Sequence, residues 1–366
     1  MSALDRFTPA TRSWFETSFA APTAAQERGW EAIATGAHTL IHAPTGSGKT
    51  LAAFLWSLDR LFIEDLPAAS DRCRVLYVSP MKALAYDIER NLRSPLRGIA
   101  LAAERRSEAL TPLTTAMRTG DTPPAERRAM HRRPPDILIT TPESLYLLLT
   151  SAAASILTPV RWVIVDEIHS LAGGKRGAHL SLSLERLEEI TREPPQRIGL
   201  SATQRPLERI AEFLGGGTVT TAPLDPAGSW TPRPVTIVDA PRDKAFDIEI
   251  VVPLEDMTSP DTVDEAGHPT RSIWPSVYPA ILEMVQRHRS TIVFSNSRGI
   301  VERLAGALNE LAGDEIARAH HGSVSREQRL IIEDGLKSGA LRCVVATSTL
   351  ELGIDMDAVD LVILVE

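Results

Sequence analysis

The 366 residues suffice for two domains of ordinary size, and 43% hydrophobic with 23% charged residues is the composition of a globular protein. No apolar run is long enough to cross a bilayer, and the polar first eleven residues, which include Pro9, lack the apolar stretch of a secretory signal. A net charge of −8 argues against coating of nucleic acid by bulk electrostatics, but not against gripping a few phosphates through amides and scattered polar side chains.

Along the chain, short apolar runs alternate with helix-like stretches. The runs at 39–41, 75–78, 137–139, 162–165 and 198–200 are predicted strands, and they resume at 291–294, 343–345 and 361–365. Near-continuous β-branched runs separated by helices predict an α/β fold of parallel sheets covered by helices on both faces. Apolar stripes over 51–61, 180–190 and 300–311 mark three covering helices. The strongest linker signal is Gly/Pro-rich: Gly215, Gly216 and Gly217, then Pro223, Pro226, Pro232, Pro234 and Pro241. It divides the chain into a first domain over 1–223, a linker over 224–241 and a second domain over 242–366. The acidic, turn-rich segment 255–270 reads as a solvated insertion. Cys73 and Cys343 lie in apolar runs, as buried reduced thiols of a cytoplasmic protein would, and no Cys/His cluster has zinc spacing.

Two segments carry chemistry. Ala43-Pro44-Thr45-Gly46-Ser47-Gly48-Lys49-Thr50 follows a predicted strand and opens a predicted helix. Its glycines let backbone amides turn inward on phosphate oxygens at the positive end of the helix dipole. Lys49 is then expected on the β- and γ-phosphates of ATP, and the Thr50 hydroxyl on Mg²⁺. Asp166-Glu167-Ile168-His169 follows the run ending at Val165. An acidic pair at the carboxyl end of a parallel strand is expected beside the phosphate loop of a neighbouring strand. Asp166 would hold Mg²⁺ and Glu167 would orient and deprotonate the attacking water. His169 either relays nucleotide state to Ser201 and Thr203 or simply packs. Arg127, Arg128, Arg132 and Arg133, around Met130 and His131, read as a solvated helix face sooner than as a nucleic-acid patch.

These blocks resemble motifs I, II and III of superfamily 2 helicases with two RecA-like domains. Further blocks match in order. Residues 19–26, ending Pro22-Thr23-Ala24-Ala25-Gln26, resemble the Q motif, whose glutamine reads the adenine edge. Segment 79–85 resembles motif Ia, and Thr119-Gly120-Asp121 and Thr140-Thr141-Pro142-Glu143-Ser144 resemble the next strand-contacting motifs. Small residues such as Ser79, Gly120, Thr140 and Thr141, at strand ends and turns, suit sequence-independent phosphate contacts. Segments 170–179 and 199–206 narrow the resemblance to the Lhr (large helicase-related) group of DNA helicases. In the second domain, 293–298 resembles motif IV, with Arg298 on a backbone phosphate. Segment 320–329 resembles the next block of that group, and 346–356 resembles motif V. There Thr347 would touch the strand, and Gly353 and Asp355 would face the nucleotide.

The resemblance implies an ATP-dependent translocase moving 3′ to 5′ on single-stranded DNA or a tailed DNA or RNA–DNA duplex. It also implies a monomer, no membrane and a place in DNA repair. Motif VI, with its arginine for the γ-phosphate, is expected just after Glu366, so the chain reads as an N-terminal piece that hydrolyses ATP poorly. An ATP-gated clamp without unwinding and an RNA-directed helicase are the competing readings.

Overall fold

The computed structural model describes residues 2–202, 204–222, 225–240, 247–254, 262–263, 269–270, 272–347, 350 and 359–365. The chain forms two compact units, Met1–Asp243 and Lys244–Glu366. Among the described residues no helix is long and apolar enough to cross a membrane.

In chain order the first unit runs α1 (Pro9–Ser18), α2 (Ala24–Ala34), β1 (His38–His42), α3 (Lys49–Ile63), β2 (Val75–Val78), α4 (Lys82–Arg105), β3 (Thr115–Arg118), α5 (Pro124–Arg132), β4 (Ile137–Thr140), α6 (Pro142–Leu149) and β5 (Trp162–Val165). It continues with α7 (His169–Ala172), α8 (Lys175–Ile190), β6 (Gln196–Ser201), α9 (Leu207–Gly215), β7 (Gly217–Ala222), β8 (Asp225–Pro232) and β9 (Val235–Asp239). Seven strands form one sheet in the order β3-β4-β2-β5-β6-β1-β9, every pair parallel. Because side chains alternate along a strand, both faces must be covered. Ile41, Tyr77, Ile139, Ile164 and Ile198 pack with the aromatic and aliphatic side chains of α1 to α4. Leu40, Leu76, Leu138, Val163 and Val165 pack with Leu145, Leu184 and Leu214 on the other face. Both predicted thiols are buried, and burial pushes each up to about 12.

The stretch 224–241, read as linker, turns out to contain sheet. β9 pairs with β1 over five residues, from His38 opposite Val235 to His42 opposite Asp239. Its β-branched run starts after Pro234, which a strand on the sheet edge tolerates. Gly215 is part of the reason: a Cβ there would sit 2.8 Å from Val235 Cγ2 and 2.9 Å from the Arg233 carbonyl. That glycine permits close approach of two segments.

The second unit holds β10 (Thr262–Val263), β11 (Pro269–Thr270), α10 (Trp274–Arg287), β12 (Thr291–Ser295), α11 (Arg298–Ala312), β13 (Ala317–His320), α12 (Arg326–Ser338), β14 (Cys343–Ala346) and β15 (Leu361–Val365). Its sheet, β13-β14-β12-β15, is again all parallel. Val293 and Val345 pack on α10 and α11, whereas Ile292 and Val344 pack with Ile332 and Leu336 of α12. The acidic segment 255–270 lies outside the described residues except for the short β10–β11 pair.

Candidate nucleotide and strand site

The phosphate loop joins β1 to α3. Gly46 and Gly48 have φ of 77° and 75°, conformations that glycine reaches without steric cost. Gly48 is also the N-cap of α3 and has no side-chain capping bond, so the first-turn amides are left for a ligand. A Cβ at Gly48 would lie 2.4 Å from Gln26 Nε2. Gln26 is buried; its side chain closes the α2 capping box with Thr23, and its Nε2 donates to the Gly48 carbonyl at 3.4 Å. The Thr23 hydroxyl donates to the Ser47 carbonyl at 2.7 Å. The Q-like segment thus braces the loop from behind.

The acidic pair was expected on the adjacent strand. In the structure β6 lies between β1 and β5, and Ser201 at its end reaches the loop: its carbonyl accepts from the Ala43 amide at 3.0 Å. The gap is bridged by side chains. Lys49 Nζ lies 3.7 Å from Glu167 Oε1, with Lys49 6% and Glu167 8% exposed. Asp166 is 3% exposed; its Oδ1 accepts the Glu167 amide at 2.9 Å, and its Oδ2 accepts the hydroxyl of the wholly buried Tyr77. Burial first, and the neighbouring Glu167 charge second, push the Asp166 carboxyl up to about 6. Burial also raises Glu167, against the pull of Lys49. Among the described residues the two buried carboxylates have one lysine beside them and are short of positive charge, and the buried Ser47 hydroxyl has no hydrogen-bond partner there. That donor set fits a divalent cation and phosphate oxygens together. Thr45 and Gly46 are exposed at the mouth of the loop.

Glu167 has φ of 42°, which a side chain of its size rarely adopts. The Ser170 amide and hydroxyl both donate to its carbonyl, at 2.9 and 2.8 Å, and hold the turn. His169 Nδ1 lies 3.4 Å from Glu167 Oε2 and 3.3 Å from Ser201 Oγ, while the Ala202 amide approaches it at 3.5 Å. His169 and Ser201 therefore meet as the relay reading requires; Thr203 lies outside the described residues.

The strand-contacting candidates gather at the carboxyl ends of β2, β3 and β4, but their hydroxyls are used internally. Ser79 and Thr140 are wholly buried: the first donates to the Met81 carbonyl at 2.9 Å, the second to the Arg118 carbonyl at 2.7 Å. The Thr141 hydroxyl faces Ser144 at 3.3 Å. Gly120 alone of the four is exposed. These loops offer a phosphate their backbone, at Gly120 and at the start of α6, which Thr141 leaves without a side-chain cap. Side chains absent from the sequence-based candidates lace the loops together. Arg176 binds Glu143 at 2.6 Å and the Pro80 carbonyl at 2.7 Å, and Lys82 binds Asp121 at 2.6 Å. Only the fold brings those partners close, so spacing gives no warning of them.

In the second unit Arg298 opens α11 and donates to Ser323 Oγ at 3.0 Å; the Thr347 amide donates to the His320 carbonyl at 3.2 Å. His320 and His321 each face one glutamate, Glu333 at 2.9 Å and Glu302 at 2.6 Å, and among the described residues no group of three or more His, Cys, Asp or Glu side chains is placed to share a metal ion. Gly353 and Asp355 lie outside the described residues.

A phosphate loop and acidic pair on one parallel sheet, with a second parallel sheet later in the chain, define the class of two-domain phosphate-loop proteins with RecA-like folds. The chain belongs to the DEAD/DEAH box helicase family, whose profile matches residues 23–210, and the helicase conserved C-terminal domain matches residues 276–366. It is 51% identical to the Lhr helicase/probable uracil glycosylase of Mycolicibacterium smegmatis over 99% of this chain and 25% of that protein. It is 41% identical to the ATP-dependent helicase Lhr-Core of Saccharolobus solfataricus over 97% of this chain and 39% of that one. The solved structure of Mycobacterium smegmatis helicase Lhr bound to ssDNA and AMP-PNP matches with a TM-score of 0.82 and 55% identity, over 100% of this chain and 45% of that one. The chain thus spans between a quarter and two fifths of the length of these curated relatives.

Proposed function

We propose that this chain is the motor core of an ATP-dependent DNA helicase that translocates 3′ to 5′ along one strand. The observation that carries the reading is the 3.7 Å approach of Lys49 to Glu167 inside a buried acidic pair. Amides of residues 45–50 and the Lys49 ammonium bind the triphosphate. Thr50 and Asp166 would hold Mg²⁺, which when bound neutralises charge on the phosphate oxygens. Glu167 orients the attacking water and takes its proton; a carboxyl whose pKa is raised by burial is a better base than one in water. Tyr77 holds Asp166 in place, and His169 ties Glu167 to Ser201. Gly120 and Thr141 through their backbone, and Arg298 and Thr347 through their side chains, are the strand contacts. The single-stranded DNA and AMP-PNP of the Mycobacterium relative support DNA as the track.

Glu167→Gln should keep AMP-PNP affinity and lower DNA-stimulated ATP hydrolysis by about 10²-fold or more. Lys49→Ala should instead weaken AMP-PNP binding itself. Turnover retained in Glu167→Gln removes that residue from the base role. Strand-displacement assays on DNA and RNA duplexes with either overhang test substrate and direction; binding without displacement on every substrate would favour the clamp.

A further inference from the structure

The arginine-rich stretch after Gly120 shares no residue with the phosphate loop or the acidic pair. It forms α5, anchored by the buried Met130. Beside it lies a cavity of about 500 Å³ lined by Arg118, Arg127, Arg128, His131 and Arg132, over a floor that includes Leu148 and Ile156, with no carboxylate in its wall. Arg118 is 9% exposed, and among the described residues it has no acidic partner; its Nη1 donates to the Thr119 carbonyl at 3.0 Å. Burial and the nearby Arg127 cation both pull Arg118 below the usual arginine range.

Other buried arginines of this unit are treated differently. Arg74 lies at 2.8 Å from Glu64 and 3.1 Å from Asp136, and Arg197 at 3.0 Å from Glu185 and 2.6 Å from Glu188. A buried cation costs free energy unless a negative charge accompanies it. Arg118 sits instead against further cations, in a chain whose net charge is −8.

We infer that this cavity binds a phosphate ester of a nucleic-acid strand, which supplies the missing negative charge from outside. Guanidinium forks match phosphate oxygens geometrically, and an apolar floor strengthens each contact while accepting the face of a sugar or base. The cavity adjoins the strand-contacting loops. Arg127 donates to the Gly120 carbonyl at 2.9 Å and the Thr122 carbonyl at 2.7 Å, and the Thr140 hydroxyl donates to the Arg118 carbonyl at 2.7 Å. The strand as the source of the ester rests on the proposed helicase function; the cationic cavity does not.

The test is anisotropy of labelled dT oligonucleotides with AMP-PNP present, on the whole chain. Two variants are compared: Arg118→Gln, and the exposed pair Arg128→Ala with Arg132→Ala, which spares the buried position should the first variant misfold. The exposed pair should weaken oligonucleotide binding about tenfold. The salt dependence of log Kd should flatten by about 0.7 for each phosphate contact removed. AMP-PNP affinity should not change. Affinity and slope equal to wild type in the double variant overturn the site. Pyrophosphate added to a thermal-shift assay separates the sources: stabilisation lost in the double variant, with oligonucleotide binding intact, marks a free phosphate and overturns the strand as ligand. If the wild-type chain binds no oligonucleotide at all, the nucleic-acid reading itself fails and the strand falls with it.

Discussion

Glu167 and Asp166 are held against two physical preferences at once, a left-handed backbone at Glu167 and charge in a dry pocket at both. Strain and burial of this sort persist where surrounding contacts over-determine them, here the bonds from Ser170, Tyr77 and Lys49. The arrangement has a consequence for stability. Burial in the folded chain pushes the Asp166 carboxyl up to about 6, from its ordinary 3.8. Between those values the native state binds more protons than the unfolded chain, so stability falls as pH rises through the window and stays lower above it. Asp166→Asn should therefore melt a few degrees higher than the wild type at pH 8 in chelator, with the difference vanishing near pH 4. Equal melting temperatures at both pH values would mean the carboxyl is not destabilised by burial. The same variant should hydrolyse no ATP.

The strands legible in the sequence carry uninterrupted apolar runs: β1, β2, β4, β5 and β6, and in the second unit β12, β14 and the edge strand β15. The edge strands β3 and β13 escape such reading because their side chains answer in part to solvent or helix ends. β3 is Thr-Ala-Met-Arg and β13 is Ala-Arg-Ala-His, and neither carries an apolar run. β9 was hidden by its proline neighbours. It is fastened by Arg233, 2.8 Å from Glu185 and 2.9 Å from Glu188, and α8 holds Arg197 of β6 through the same two carboxylates. This lattice ties β9 and β6 to one helix, and the Arg197 guanidinium also donates to the Leu214 and Gly215 carbonyls at 3.2 and 3.1 Å. Arg197→Ala should thus destabilise the first unit by about 3 kcal/mol in urea unfolding, since it takes a donor from the Leu214 carbonyl and leaves Glu185 and Glu188 to share Arg233. Arg209→Ala, which removes an exposed i,i+3 pair, should cost under about 0.5 kcal/mol. Similar losses in both would assign Arg197 no special place.

At the scale of the molecule, the phosphate loop and the acidic pair were readable because each is a contiguous block whose chemistry depends on local backbone. The residues that hold them were not, because Tyr77 meets Asp166 across 89 positions and Arg176 meets Pro80 across 96. Such pairings exist only once the sheet order is set. The proposed phosphate-binding groups Lys49, Asp166 and Glu167 lie in the first unit, while the proposed strand contacts Arg298 and Thr347 follow the carboxyl ends of strands in the second. A motor needs the two ligands to feel each other, and equilibrium coupling is reciprocal. AMP-PNP should tighten dT oligonucleotide binding by about 5- to 150-fold, and oligonucleotide should tighten AMP-PNP by the same factor. Glu167→Gln, which keeps the phosphate loop intact, should preserve that factor, whereas Lys49→Ala should shrink it along with nucleotide affinity. Oligonucleotide affinity indifferent to AMP-PNP would leave two independent binding sites on one chain, and neither a motor nor a nucleotide-gated clamp could be built from them.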